Sequence, residues 1–139
     1  MKLPVYEFLG YRTRQIAYMI DGEEYPREMK ISVPQSYFDE EKNLYQFLIV
    51  MDGNDMKDGK NVCHFVFQAF FSLNDLKWCD DLKKNDISLD NMLFPVVFPF
   101  IRQKVMNIME DSGYSPVLPV LDLRGADLKK GVVIVNYTP

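Results

Sequence analysis

Two apolar runs, LYQFLIVMD (Leu44 to Asp52) and VCHFVFQAFFSL (Val62 to Leu73), stand on either side of the polar stretch GNDMKDGKN. Successive side chains of a strand point to opposite faces. In the first run Leu44, Leu48 and Val50 share one face, and Tyr45, Phe47, Ile49 and Met51 share the other. In the second, Cys63, Phe65, Phe67, Ala69 and Phe71 fall together, opposite Val62, His64, Val66 and Phe70. Both faces are largely apolar, so a sheet built on these strands has neither face suited to water.

The flanking sequence extends that sheet. Tyr6 to Ile20 mixes aromatic, β-branched and polar residues and reads as a strand interrupted near Gly10. DGEEYP (Asp21 to Pro26) has the composition of a loop, after which Met29, Ile31 and Val33 alternate with polar neighbours until Pro34. Tyr37 to Asn43 reads as a polar turn. About four strands joined by short polar loops predict an antiparallel meander in one α+β domain spanning residues 1–139.

One long helix is available to cover it, with room for a short second helix or turn elsewhere. From about Val97 to Asp111, Phe98, Ile101, Val105, Ile108 and Met109 recur at helical spacing. Pro99 suits a first turn, and Pro95 and Pro99 disfavour helix in the residues before them, so LFPVVFP is expected to be an extended lead-in. Gly113 is a natural stop. Such a helix is roughly 22 Å long, enough for one face of the sheet. The second face is expected to meet another subunit or a client, unless the C-terminal segment folds back over it. Phe94, Phe98, Ile101, Val105, Ile108 and Met109 are the expected oligomer interface.

Charge and composition narrow the function. Sixteen basic and 20 acidic residues give a net charge of −4 with no basic stripe, which argues against nucleic acid. No segment reaches the roughly 20 apolar residues of a membrane span, and the N-terminus lacks a signal-peptide core, so a cytoplasmic protein without membrane insertion is expected. Cys63 and Cys79 form neither a metal pattern nor a disulfide framework. Cys63 and His64 are adjacent, so a strand sends them to opposite faces and denies them a shared proton. With one His and no glycine-rich phosphate loop, no catalytic residue, metal or cofactor is expected, and the protein is read as a non-enzyme. A hot-dog-like enzyme also pairs a sheet with a long helix, but it needs an acidic residue at the helix start, where the sequence reading places Phe94, Phe98 and the prolines.

The order of segments resembles the SecB-like family of protein-export chaperones. The resemblance rests on MKISV (Met29 to Val33), LYQFLIVMD, and CHFVFQAFFSL with its aromatic-Ser-aliphatic ending. It continues through LFPVVFPFIRQKV, with Arg102 three residues past Pro99, and SGYSPVLPVLDLRGADL (Ser112 to Leu128). Together these cover about residues 6–128.

The resemblance implies a four-stranded antiparallel sheet with two helices, assembled as a dimer or a dimer of dimers (a homotetramer). It also implies a holdase that binds an unfolded polypeptide or preprotein in an aromatic-lined groove without nucleotide. The positions matching that groove are Phe47, Phe65, Phe67, Phe71, Tyr114, Val117, Leu118 and Leu121. Apolar contact and strand addition need no catalytic group. Where the family carries acidic residues for docking on a translocase motor, the matching positions here are Gln15 and His64. The chain also ends in KKGVVIVNYTP, with a β-like run from Val132 to Tyr137, in place of an acidic tail. An oligomeric interaction module for one dedicated partner is the alternative.

Overall fold

A computed structural model describes residues 4–18, 28–55, 60–111 and 126–135. The strands are β1 (Tyr6–Tyr18), β2 (Glu28–Ser32), β3 (Ser36–Asp39), β4 (Leu44–Asn54), β5 (Asn61–Leu73) and β6 (Val132–Val135). Two helices, α1 (Leu76–Lys84) and α2 (Leu89–Asp111), lie between β5 and β6 in the chain. All pairings are antiparallel, in the order β1-β5-β4-β2-β6, with β3 also beside β4.

The α+β class and the antiparallel sheet stand as expected, but the sheet has six strands among the described residues in place of about four. Ser36–Asp39, of which Tyr37 to Asp39 fall in the expected polar turn, pairs with β4 from Ser36↔Phe47 to Asp39↔Leu44. The turn itself follows, with Asn43 at φ 52°, a left-handed conformation that Asn tolerates well. The run beginning at Val132 supplies the second extra strand, paired to β2 from Glu28↔Val135 to Ile31↔Val132. The chain is also not a simple meander, because β1 crosses to pair with β5 and leaves β2 beside β4.

The interruption expected near Gly10 is present. The β1–β5 register shifts between Phe8 and Gly10, and Gly10 sits at φ 120°. A bulge with a glycine in this region is a favourable way to bend a long strand.

Helix α1 is capped by Asp75, whose carboxylate accepts from Trp78 N at 3.1 Å, and by Asn85 at its other end. Helix α2 is longer than its amphipathic segment predicts. Ser88 precedes it and accepts from Asn91 N through Oγ at 3.4 Å and from Met92 N through its carbonyl at 3.1 Å. Twenty-three residues follow, with Pro95 and Pro99 inside the helix.

An extended lead-in is therefore wrong, and magnitudes explain why. Each internal proline costs about 3 kcal/mol in lost hydrogen bonding and steric clash. Burying Leu93, Phe94, Val97 and Phe98, which are 0–4% exposed, contributes about 1.5–3 kcal/mol each. The two prolines are four residues apart, hence on one side of the helix, and both are exposed. Carbonyls that lose a partner there remain open to hydration.

The core lies between α2 and one sheet face. Phe47, Ile49, Met51, Phe65, Phe67, Ala69 and Phe71 meet Leu93, Phe94, Val97, Ile101, Val105 and Met109, all within 1% of complete burial.

Candidate functional site

The four strand phenylalanines expected to line a client groove are instead the centre of this core. Phe47 is 1% exposed, and Phe65, Phe67 and Phe71 are fully buried. Phe47 and Phe71 stack at 5.7 Å and Phe65 and Phe67 at 6.4 Å. Alternation identifies the two faces but not which one a helix covers, and the longer α2 covers this one. Tyr114, Val117, Leu118 and Leu121 lie outside the described residues.

The expected oligomer interface is corrected in the same way. Phe94, Phe98, Ile101, Val105 and Met109 are buried against the chain's own sheet, and Ile108 is half-buried on that core. The five buried residues of this stripe hold α2 against the sheet.

A different set of side chains faces out. Met92 is 42% exposed and Phe100 53%, with Pro95 and Pro99 exposed and half-buried Val96 among them. Met92, Val96 and Phe100 are spaced by four and form one ridge on α2. The sequence did carry this signal, since MLFPVVFPF is apolar all round in helical projection. An extended reading of the segment conceals it.

This ridge runs onto β1, where Phe100 stacks on Phe8 at 5.5 Å. Among the described residues β1, a thirteen-residue strand, pairs with β5 alone, and no described strand lies along its second edge. Leu9 (54% exposed) and Ile16 (46%) lie along that strand. A long edge with apolar side chains is a ready template for another chain.

The sheet face turned away from α2 is mixed. Leu48, Val50, Val66 and Phe70 are half-buried and alternate with Gln46, Asp52, His64 and Gln68. His64 Nδ1 lies 2.5 Å from Asp52 Oδ1 across the β4–β5 pair. Cys63 points the other way and is 1% exposed, and burial pushes its thiol up to about 12. The two adjacent residues are on opposite faces, as alternation requires. Gln15 is at the register position opposite Val66, and His64 opposite Ala17, so both positions matching the family's docking residues belong to this outer face.

Two acidic residues, Asp55 and Asp90, are buried, and the second stands where no polar group is expected. Because α2 begins at Leu89, Asp90 occupies its first turn, 4% exposed. An acidic residue therefore does stand at the start of the long helix. Its carboxyl accepts from the Tyr45 hydroxyl and is also hydrogen-bonded with Ser36. Burial holds the Asp90 carboxyl above the usual range, against the opposing pull of these hydrogen bonds and the Lys129 charge. A cleft of about 350 Å³ beside it is lined in part by Ser88, Asn91, Asp127 and Lys129. Three elements, β4, β3 and α2, are joined at this point.

Compared with known proteins, the chain matches no family model and no curated protein sequence. No helix among the described residues is long and apolar enough to cross a membrane.

Proposed function

We propose that this protein is a SecB-like holdase, an oligomer that grips unfolded polypeptide or preprotein on apolar surface without nucleotide. The observation that carries this reading is the outward ridge of Met92, Val96 and Phe100, beside the edge of β1 that no described strand pairs. Exposed apolar area of this kind marks interaction sites. A strand edge adds backbone hydrogen bonds that any extended polypeptide satisfies, whatever its sequence. Eight methionines and an aromatic content of 14% suit contact with varied partners.

In this reading the outward side of α2 and the β1 edge are shared between assembly with further copies and client capture. The resemblance assigns Tyr114, Val117, Leu118 and Leu121, which lie outside the described residues, to client binding as well. The buried phenylalanines of β4 and β5 act indirectly, by holding the sheet rigid behind it. The cytoplasm, where thiols stay reduced, is the compartment this reading implies.

The test is suppression of aggregation. Chemically unfolded substrates are diluted into buffer with and without the intact protein, and light scattering is followed without nucleotide. Slower aggregation across several unrelated substrates is expected. Equal rates with and without the protein overturn the holdase reading and leave a module for one dedicated partner, to be sought by pull-down from the native host.

A further inference from the structure

On the sheet face opposite α2, a cleft of about 570 Å³ opens to solvent between β3, β4 and the turn that carries Lys129. Leu48 contributes to its floor, with Gln46 and Gln68 beside it, and Arg14 and Lys129 supply cations. Among the described residues no Asp or Glu lines it. In a chain with a net charge of −4 the cleft gathers two cations, of which Lys129 also borders the neighbouring cleft that holds Asp90 and Asp127.

Arg14 is held in place. Gln68 donates through Nε2 to Gln46 Oε1 at 2.6 Å. Its own Oε1 accepts from Arg14 Nη1 at 2.9 Å and from Arg12 Nε at 3.1 Å. Arg12 also lies over the Phe70 ring, 5.6 Å from its centroid. Two guanidinium groups thus converge on one amide oxygen. Like charges brought together cost roughly 1 kcal/mol per pair even in water at close range, and a bound anion relieves that cost.

We infer that this cleft binds carboxylate side chains and takes an acidic peptide segment of a partner protein. A guanidinium presents a planar fork that matches a carboxylate through two parallel hydrogen bonds, and Lys129 offers a second, less directional charge. Glutamine amides donate and accept, which suits a peptide backbone lying between those two charges. The cleft falls in the roughly 300–1,000 Å³ range of ligand sites, and its open side admits a chain passing through. Two cationic walls in an acidic protein favour one or two carboxylates and not a polyanion. The inference is independent of the holdase reading, because the cleft and the α2 ridge are on opposite faces.

Fluorescence anisotropy of the full chain with a labelled peptide alternating Glu and Ser tests it. The acidic peptide is expected to bind, and its Gln counterpart to bind at least roughly tenfold more weakly, the loss expected for charge-assisted hydrogen bonds. Arg14→Gln and Lys129→Gln should each weaken binding by a similar factor. Lys77→Gln, which removes the same charge from α1, should leave it unchanged. Lys129 is an exposed turn residue, so its variant reads the cleft even where Arg14→Gln disturbs β1. Equal binding of the two peptides overturns the inference, and so does an equal loss from Lys77→Gln. Full displacement by millimolar inorganic phosphate also overturns it, in favour of a small-anion site.

Discussion

The hydroxyl of Tyr45, on the central strand β4, donates a hydrogen bond to the carboxyl of Asp90 in the first turn of α2. Forty-five positions separate the two residues, so this bond ties the sheet to the helix across a long stretch of chain. The phenol, pushed above its ordinary range by burial and then by the Asp90 bond, stays neutral and remains a donor. Removing that donor in Tyr45→Phe leaves a buried carboxyl short of a partner, at a cost of about 1.5–3 kcal/mol. Chemical denaturation at neutral pH should show the loss, and an unchanged midpoint would count against this bond as a structural tie.

Asp90→Asn separates the carboxyl's charge from its shape. Burial, the largest influence, raises the folded pKa above the ordinary 3.8. The protonated form is therefore favoured by folding. That contribution is fully present below the ordinary value and is lost as pH rises through the raised one. Asparagine still accepts from Tyr45 and carries no charge. It should raise the thermal midpoint by a few degrees at neutral pH, with the advantage shrinking as pH falls toward 4. A difference that stays constant across that range would contradict the assignment of buried charge.

Phe67→Ala distinguishes core from groove. Phe67 is fully buried beneath α2, with Tyr11 edge-on at 6.0 Å. Truncation should cost about 3–5 kcal/mol, visible as a lower denaturant midpoint. A groove residue would instead lose client affinity with stability intact. Val105→Asp, which buries an unpaired charge under the helix, should prevent folding altogether.

These contrasts show what the sequence makes legible. Tyr45, Phe47, Ile49 and Met51 against Leu44, Leu48 and Val50 identify strand β4, because period-two alternation depends only on backbone geometry. Choosing the covered face needs the length of α2, and two prolines obscure that length. The Ser88 cap and the burial of Leu93 and Phe94 outweigh them, but burial is a tertiary quantity with no local signature. Asp90 was hidden for the same reason, since a helix begun at Val97 excludes it. The cationic cleft was hidden differently. Arg14, Gln46, Gln68 and Lys129 come from four distant segments that only the sheet order brings together.

Gly10→Ala isolates backbone strain from crowding. A Cβ at this position would meet nothing within 4 Å, so packing offers no objection. The φ of 120° is nevertheless a region that side chains rarely adopt. A loss of about 1–3 kcal/mol is expected, together with altered exchange of β1 amides if the bulge is displaced. No change in stability would mean that the bulge shifts at negligible cost.

Met92→Lys with Phe100→Lys addresses assembly. Both side chains are largely exposed, on the ridge that faces away from the chain's own core. The pair should leave the fold nearly intact, with the Phe8 stacking contact the main loss. In an assembly that buries this ridge, two lysine charges would each lose hydration, a penalty of several kcal/mol. Light scattering should then show the wild-type protein as a dimer or tetramer and the variant as the 16.3 kDa monomer. Suppression of aggregation should fall with it, because clients and further copies share the same ridge in the proposed reading. Wild-type protein that is already a clean monomer at micromolar concentration would sink the assembly. A variant that keeps its mass and loses its holding activity would reassign the ridge to clients alone.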